Sequence, residues 1–138
     1  MNIYFAASIR GGRADEQIYL RLIDDLSRHG RVLTEHIAHP DDVERGLSDR
    51  EIYERDLAWL RRADVVVAEV TTPSLGVGYE LATAEILGLP VLCLFRPSSG
   101  INVSAMVTGA PGVRLVAYES LDDARAAMRA FVASISEL

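Results

Sequence analysis

Lysine is absent from this sequence: all 14 basic residues are arginine. That absence excludes a Schiff-base lysine and a P-loop lysine. Cysteine is nearly absent too. Cys93 alone can form no internal disulfide, and its setting in Val91-Leu92-Cys93-Leu94-Phe95 predicts a buried core thiol. The three histidines, His29, His36 and His39, form no metal-ligand pattern, because no cysteine or further histidine joins the His36/His39 pair. No metal site and no cofactor are expected. No apolar run approaches the roughly 18 residues that span a bilayer, so no membrane partner is expected either. Met1-Asn2-Ile3-Tyr4-Phe5 carries no basic n-region and reads as a first strand, which makes a cytoplasmic protein the simplest expectation. Positive charge is in deficit, with a net charge of −6. This argues against a nucleic-acid-binding surface while leaving room for a local basic pocket that takes a small phosphate.

What is present is an ordinary globular composition, 49% hydrophobic and 25% charged over 138 residues, enough for one domain spanning 1–138. Apolar β-rich runs alternate with helix-period segments throughout. Strands are predicted at Asn2–Ala7, Arg31–Leu33, Val65–Val70, Val91–Phe95 and Val113–Ala117, and helices at Asp15–His29, Asp49–Arg62, Gly78–Leu87 and Leu121–Ser134. Ser48 with Glu51, and Ser120 with Asp123, stand at capping-box spacing, while Gly30 and Gly88 sit where helix C-caps belong. Such alternation predicts an α/β fold: a flavodoxin-like, three-layer sandwich around a five-stranded parallel sheet of order 2-1-3-4-5. The switch point then falls between strands 1 and 3, so the loops after Ala7 and Val70 face one crevice. The polar segment Ala38–Leu47 is expected to be mobile.

Those two loops carry the unusual chemistry. Ser8-Ile9-Arg10-Gly11-Gly12-Arg13 places a hydroxyl, two guanidiniums and two glycines after strand 1, a set suited to a phosphate; the alternative is a flexible loop with solvated arginines. The second loop, Thr71-Thr72-Pro73-Ser74-Leu75-Gly76-Val77-Gly78-Tyr79-Glu80, delivers Glu80 into what reads as a first helical turn. A glutamate there is also favoured simply by the helix dipole. On the second helix, Asp56 shares a stripe with Tyr53 and Leu60, and periodicity alone favours surface pairing with Arg55, Arg61 or Arg62. After strand 4, Phe95 to Met106 reads as a turn and a short helix capped by Ser99 or Asn102, with Ser104 available as a hydroxyl donor. A phosphate-friendly loop with two carboxylates suits glycosidic chemistry, in which one carboxylate captures C1′ and an acid assists the leaving group.

These motifs resemble the 2′-deoxynucleoside 5′-monophosphate N-glycosidases, a branch of the nucleoside 2-deoxyribosyltransferase superfamily. The likeness rests on Tyr4-Phe5, Ser8 to Arg13, Val32-Leu33-Thr34-Glu35-His36, Asp56-Leu57 with Trp59-Leu60, Ala63 to Val70, Pro73 to Leu81, Leu92 to Pro97 and Ser104-Ala105-Met106. It implies Glu80 as nucleophile, Asp56 as the group that orients the sugar or protonates the departing base, and Tyr4 as the group that positions Glu80. Ser8, Ile9, Arg10, Gly11 and Gly12 would line the phosphate and sugar pocket with Ser74, Gly76 and Gly78. Ser104 would come from a partner subunit of a homodimer, and His36 would border the base pocket.

The implied substrate is a small nucleoside 5′-monophosphate, because Ser and Arg stand where the free-nucleoside transferases of this fold place amide and carboxylate groups. The implied reaction is hydrolysis of the N-glycosidic bond through a covalent glutamyl intermediate. Three alternatives stand beside it: a ribonucleotide (CMP-type) N-glycosidase, a nucleoside 2-deoxyribosyltransferase, and a non-catalytic nucleotide sensor.

Overall fold

The computed structural model describes residues 1–9, 15–38 and 46–137. Five strands, β1 (Asn2–Ala7), β2 (Arg31–Val32), β3 (Val65–Glu69), β4 (Val91–Phe95) and β5 (Val113–Ala117), form one parallel sheet in the order β2-β1-β3-β4-β5. The sheet therefore has the predicted order, and the winding of the chain, which adds β2 on one side of β1 and β3 on the other, reverses between β1 and β3. The helices are α1 (Glu16–Ser27), α2 (Asp49–Arg62), α3 (Leu75–Ile86), the short α4 (Ala105–Thr108) and α5 (Leu121–Ser136). The 3-10 turns Glu35–Ala38 and Pro97–Ser99 complete the described elements.

Period-2 alternation along the strands sorts their side chains onto two faces. Ile3, Phe5, Val65, Val67, Leu92 and Leu94 pack against Tyr19, Leu22 and Leu26 of α1 and Met128 and Phe131 of α5. Tyr4, Ala6, Val66, Ala68 and Cys93 face Leu60 of α2 and Val77, Leu81 and Ala84 of α3. Each fully buried Leu, Val or Phe contributes about 1.5–3 kcal/mol relative to exposure. The central strands are covered on both sides, as their unbroken β-branched runs demand.

Several boundaries differ from the sequence expectation, each for a local reason. β2 ends at Val32 because the Thr34 hydroxyl both accepts the Phe5 N–H (2.8 Å) and donates to the Phe5 carbonyl (2.6 Å), replacing strand pairing with side-chain pairing. α2 begins as expected: Glu51 N–H donates to Ser48 Oγ at 3.1 Å and Ser48 N–H to Glu51 Oε1 at 3.2 Å. Gly88 closes α3 with φ +72°, the left-handed value glycine tolerates. Gly30 is not such a cap. A Cβ there would stand 2.4 Å from the Met1 carbonyl oxygen, so this glycine serves a close backbone approach.

α3 starts at Leu75, three residues before the predicted Gly78. Ser74 is its N-cap and its Oγ accepts the Val77 N–H at 3.2 Å. Glu80 consequently lies in the second turn, beyond the reach at which the helix dipole rewards an acid. Ser104, rather than Ser99 or Asn102, caps the short helix, accepting the Met106 N–H at 3.2 Å. Most of Ala38–Leu47 lies outside the described residues.

Candidate active site

The crevice at the switch point is built from three elements. β1 supplies Tyr4, only 1% exposed, on the sheet face that α2 and α3 cover. Next along that face stand the small side chains Ala6 and its β3 neighbour Ala68, which let α3 lie close to the sheet. From α3, half-buried Glu80 accepts a hydrogen bond from the Tyr4 hydroxyl. Its carboxylate curls back along the helix: a Cβ at Gly76 would lie 4.0 Å from Glu80 Oε1 and 3.8 Å from Ser74 Oγ. A methyl group at Gly76 would thus make only ordinary van der Waals contact with cap and carboxylate. A Cβ at Gly78 would meet nothing within 4 Å.

α2 supplies Asp56, which makes the expected pair with Arg55 but sits partly sheltered rather than on the open surface. The Asp56 side chain is 25% exposed, and its Oδ1 pairs with Arg55 Nη2 at 2.9 Å and Nε at 3.0 Å. The guanidinium in turn lies 4.8 Å from the centroid of the Trp59 ring, so stacking as well as charge fixes it. Burial, then the charge and hydrogen bond of Glu80, then the charge of Asp56 push the Tyr4 phenol far above its ordinary range, against the smaller opposing effect of Arg55. Tyr4 is therefore a fixed proton donor toward a carboxylate. Such a cluster can aim a carboxylate oxygen at an electrophilic carbon while a second acid stands nearby.

The remaining predicted site residues fall in different situations. Ser8 is buried at the end of β1, and Ile9 beside it is 45% exposed. Arg10, Gly11 and Gly12 lie outside the described residues. Ser74 accepts from Val77, which leaves its O–H able to donate outward. The backbone places His36 in the 3-10 turn that follows β2. Ser104 is exposed at the start of α4. Cys93 is fully buried, and burial pushes its thiol up to about 12, so it offers no nucleophile.

A second polar cluster, not anticipated from the sequence, lies at the same strand ends on the opposite face. Glu69, at the end of β3, is fully buried. Its Oε1 accepts the Thr71 N–H at 2.6 Å, and its Oε2 accepts the Tyr118 hydroxyl and lies 3.4 Å from Arg96 Nε. Arg96 Nη2 reaches Asp15 Oδ1 at 2.9 Å, and Asp15 Oδ2 accepts the Thr72 hydroxyl at 3.3 Å. One signal could have revealed it: a glutamate inside the run Val65 to Val70 of a doubly covered strand requires a buried partner.

Fold and site together define a parallel α/β protein with a tyrosine-held glutamate and a neighbouring aspartate at its switch-point crevice. The model of the nucleoside 2-deoxyribosyltransferase family matches residues 3–111, and the chain belongs to that family. Among relatives, a 5-hydroxymethyl-dUMP N-hydrolase of Mus musculus is 59% identical over 113 residues, covering 79% of this chain and 65% of the mouse protein. The chain thus spans slightly less than two thirds of that relative. A 5-hydroxymethyl-dUMP N-hydrolase of Esox lucius is 55% identical over 115 residues, 80% of this chain and 79% of the pike protein. The solution structure of BlsM matches with a TM-score of 0.80 at 21% identity, covering 99% of this chain and 91% of that one, a likeness of fold.

Proposed function

We propose that the chain is a hydrolase of 2′-deoxynucleoside 5′-monophosphates, releasing the free base and 2-deoxyribose 5-phosphate. The observation that carries this reading is the Tyr4–Glu80 hydrogen bond in a crevice that Asp56 also borders. Supporting it are the relatives in mouse and pike, whose named substrate is a deoxynucleoside 5′-monophosphate.

In this mechanism a Glu80 carboxylate oxygen attacks C1′ and forms an ester. The C1′–N bond breaks, its electron pair leaves with the base, and the base nitrogen takes a proton that Asp56 helps deliver. Water then attacks C1′, frees the Glu80 carboxylate and loses its proton to the site, giving net retention. Tyr4 holds Glu80 on line. Ser8, Ile9, Arg10, Gly11, Gly12 and Ser74 grip the sugar phosphate, Gly76 and Gly78 line the helix start, and His36 borders the base. Phosphate binding remote from the reacting carbon supplies the energy that aligns C1′.

The active unit in this reading is a homodimer, with Ser104 of a second copy completing each site. In support, α3 carries an exposed apolar stripe opposite its buried face: Leu75 is 97% exposed, Tyr79 58% and Ile86 85%. Met106 on α4 is 85% exposed. A helix apolar on both sides is suited to burial between two layers, here the sheet and a second copy. The chain 1–138 acts as one domain, in a cytoplasmic setting that suits its unpaired thiol.

The test is base release, followed by chromatography, from deoxynucleoside monophosphates, ribonucleoside monophosphates and free deoxynucleosides, with and without an added acceptor base. Release from deoxynucleoside monophosphates alone supports the reading. Release from CMP, or a new nucleoside formed with the acceptor, would replace it with the ribonucleotide or transferase alternative.

A further inference from the structure

We propose that Arg96 and Asp15 are positioning residues that set the approach of α3, and hence of Glu80, from the far side of the sheet. The inference rests on the hydrolase reading above and adds to it a part that touches neither substrate nor Glu80. The turn between β3 and α3 begins Thr71-Thr72, and the cluster holds it at three points. Thr71 N–H donates to Glu69 Oε1 at 2.6 Å, Thr71 Oγ1 accepts the Arg96 N–H at 3.0 Å, and Thr72 Oγ1 donates to Asp15 Oδ2 at 3.3 Å. Two residues later Ser74 caps the helix that carries Glu80.

Asp15 stands at the N-cap of α1, yet its carboxylate is turned to Arg96 and Thr72 instead of to the helix N–H groups. Arg96 Nη2 donates to Asp15 Oδ1, while Nε lies 3.4 Å from Glu69 Oε2 as a charge contact without a hydrogen bond, so the planar guanidinium spans two carboxylates that a compact lysine ammonium would bridge less well. Four elements meet there: the start of α1 and the ends of β3, β4 and β5, the last through Tyr118. Both Arg96 and Asp15 are largely sheltered, with side chains 20% and 14% exposed, so the pairing is weakly screened by solvent. Loss of the Arg96–Asp15 pair releases the Asp15 carboxylate that accepts the Thr72 hydroxyl and so loosens one of the three holds on the turn, and a shift of about 1 Å at a reacting group is enough to cost about a hundredfold in rate.

The experiment compares wild type with Arg96→Lys, Asp15→Asn and the double variant, measuring kcat and KM for a deoxynucleoside monophosphate together with the thermal unfolding midpoint. Asp15→Asn preserves the shape of the side chain and its acceptor for Thr72, and so guards against a folding failure in Arg96→Lys. The expected result is a fall in kcat of at least about tenfold in each single variant. KM should change less than about threefold, and the double variant should lose no more than the worse single one, because both substitutions break one shared link. Unchanged kcat, a rise in KM with kcat intact, additive losses, or losses that follow the unfolding midpoint would each overturn the proposal while leaving the hydrolase reading standing. A wild type that releases no base would overturn both.

Discussion

Replacing Tyr4 by Phe removes one hydroxyl from the site and almost nothing else. The ring is 1% exposed, packed between β1 and the helices α2 and α3, and phenylalanine fills the same volume. What disappears is the hydrogen bond to the Glu80 carboxylate. A hydrogen bond to a charged group contributes about 1.5–3 kcal/mol, and every 1.36 kcal/mol is a factor of ten in rate. If the bond acts by holding the carboxylate on line, Tyr4→Phe should lower kcat by about ten- to a hundredfold. KM should stay within about threefold, since Tyr4 bonds the proposed nucleophile rather than the proposed phosphate grip. Steady-state base release resolves the two parameters, and a denaturant titration verifies that the fold survives. Wild-type kcat in a folded Tyr4→Phe variant would refute the positioning role.

Alkaline pH should unfold the protein through its buried phenols. Burial is the leading cause that raises Tyr4, Tyr19 and Tyr118 above the unfolded value near 10, with nearby carboxylates adding to it. A raised pKa means stability that is fully present below pH 10 and lost as pH climbs beyond it, by at most about 1.4 kcal/mol per phenol per pH unit. Denaturant midpoints at pH 9, 10 and 11 measure this, and a midpoint unchanged from 9 to 11 would contradict it. Separately, Ile86→Glu on the exposed stripe of α3 should convert a dimer to monomer in sedimentation experiments and reduce base release at least about tenfold. A dimer that persists, or a fully active monomer, would remove the shared-site reading.

The fold was legible because it is written in local periodicity. Val65 to Val70 and Val91 to Phe95 are β-branched or apolar runs too short for helices, and the helices between them carry their caps at Ser48 and Ser120. The start of α3 was not, because Gly76 and Gly78 look like turn residues until the Ser74 cap is seen holding Val77. That shift of three residues matters, since it moves Glu80 out of the turn where the helix dipole alone would explain it. Asp56 shows the same limit. Its helical stripe is local, but the surroundings that make it interesting include Tyr4, on a strand fifty-two positions earlier in the chain. Least legible was the Glu69, Arg96 and Asp15 cluster, whose bonds span up to 81 positions. A charge inside a buried strand announces that a partner exists without saying where it lies.

The most direct test of the glycosidase mechanism is the turnover of Glu80→Gln on deoxynucleoside monophosphates beside the wild type. Glutamine keeps an acceptor for the Tyr4 hydroxyl and fills the same space, but it is too weak a nucleophile to form the ester. Wild type releasing base, with the folded variant binding nucleotide but turning over at least about ten-thousandfold more slowly, is the predicted result. A folded Glu80→Gln protein that releases base at the wild-type rate would contradict the mechanism.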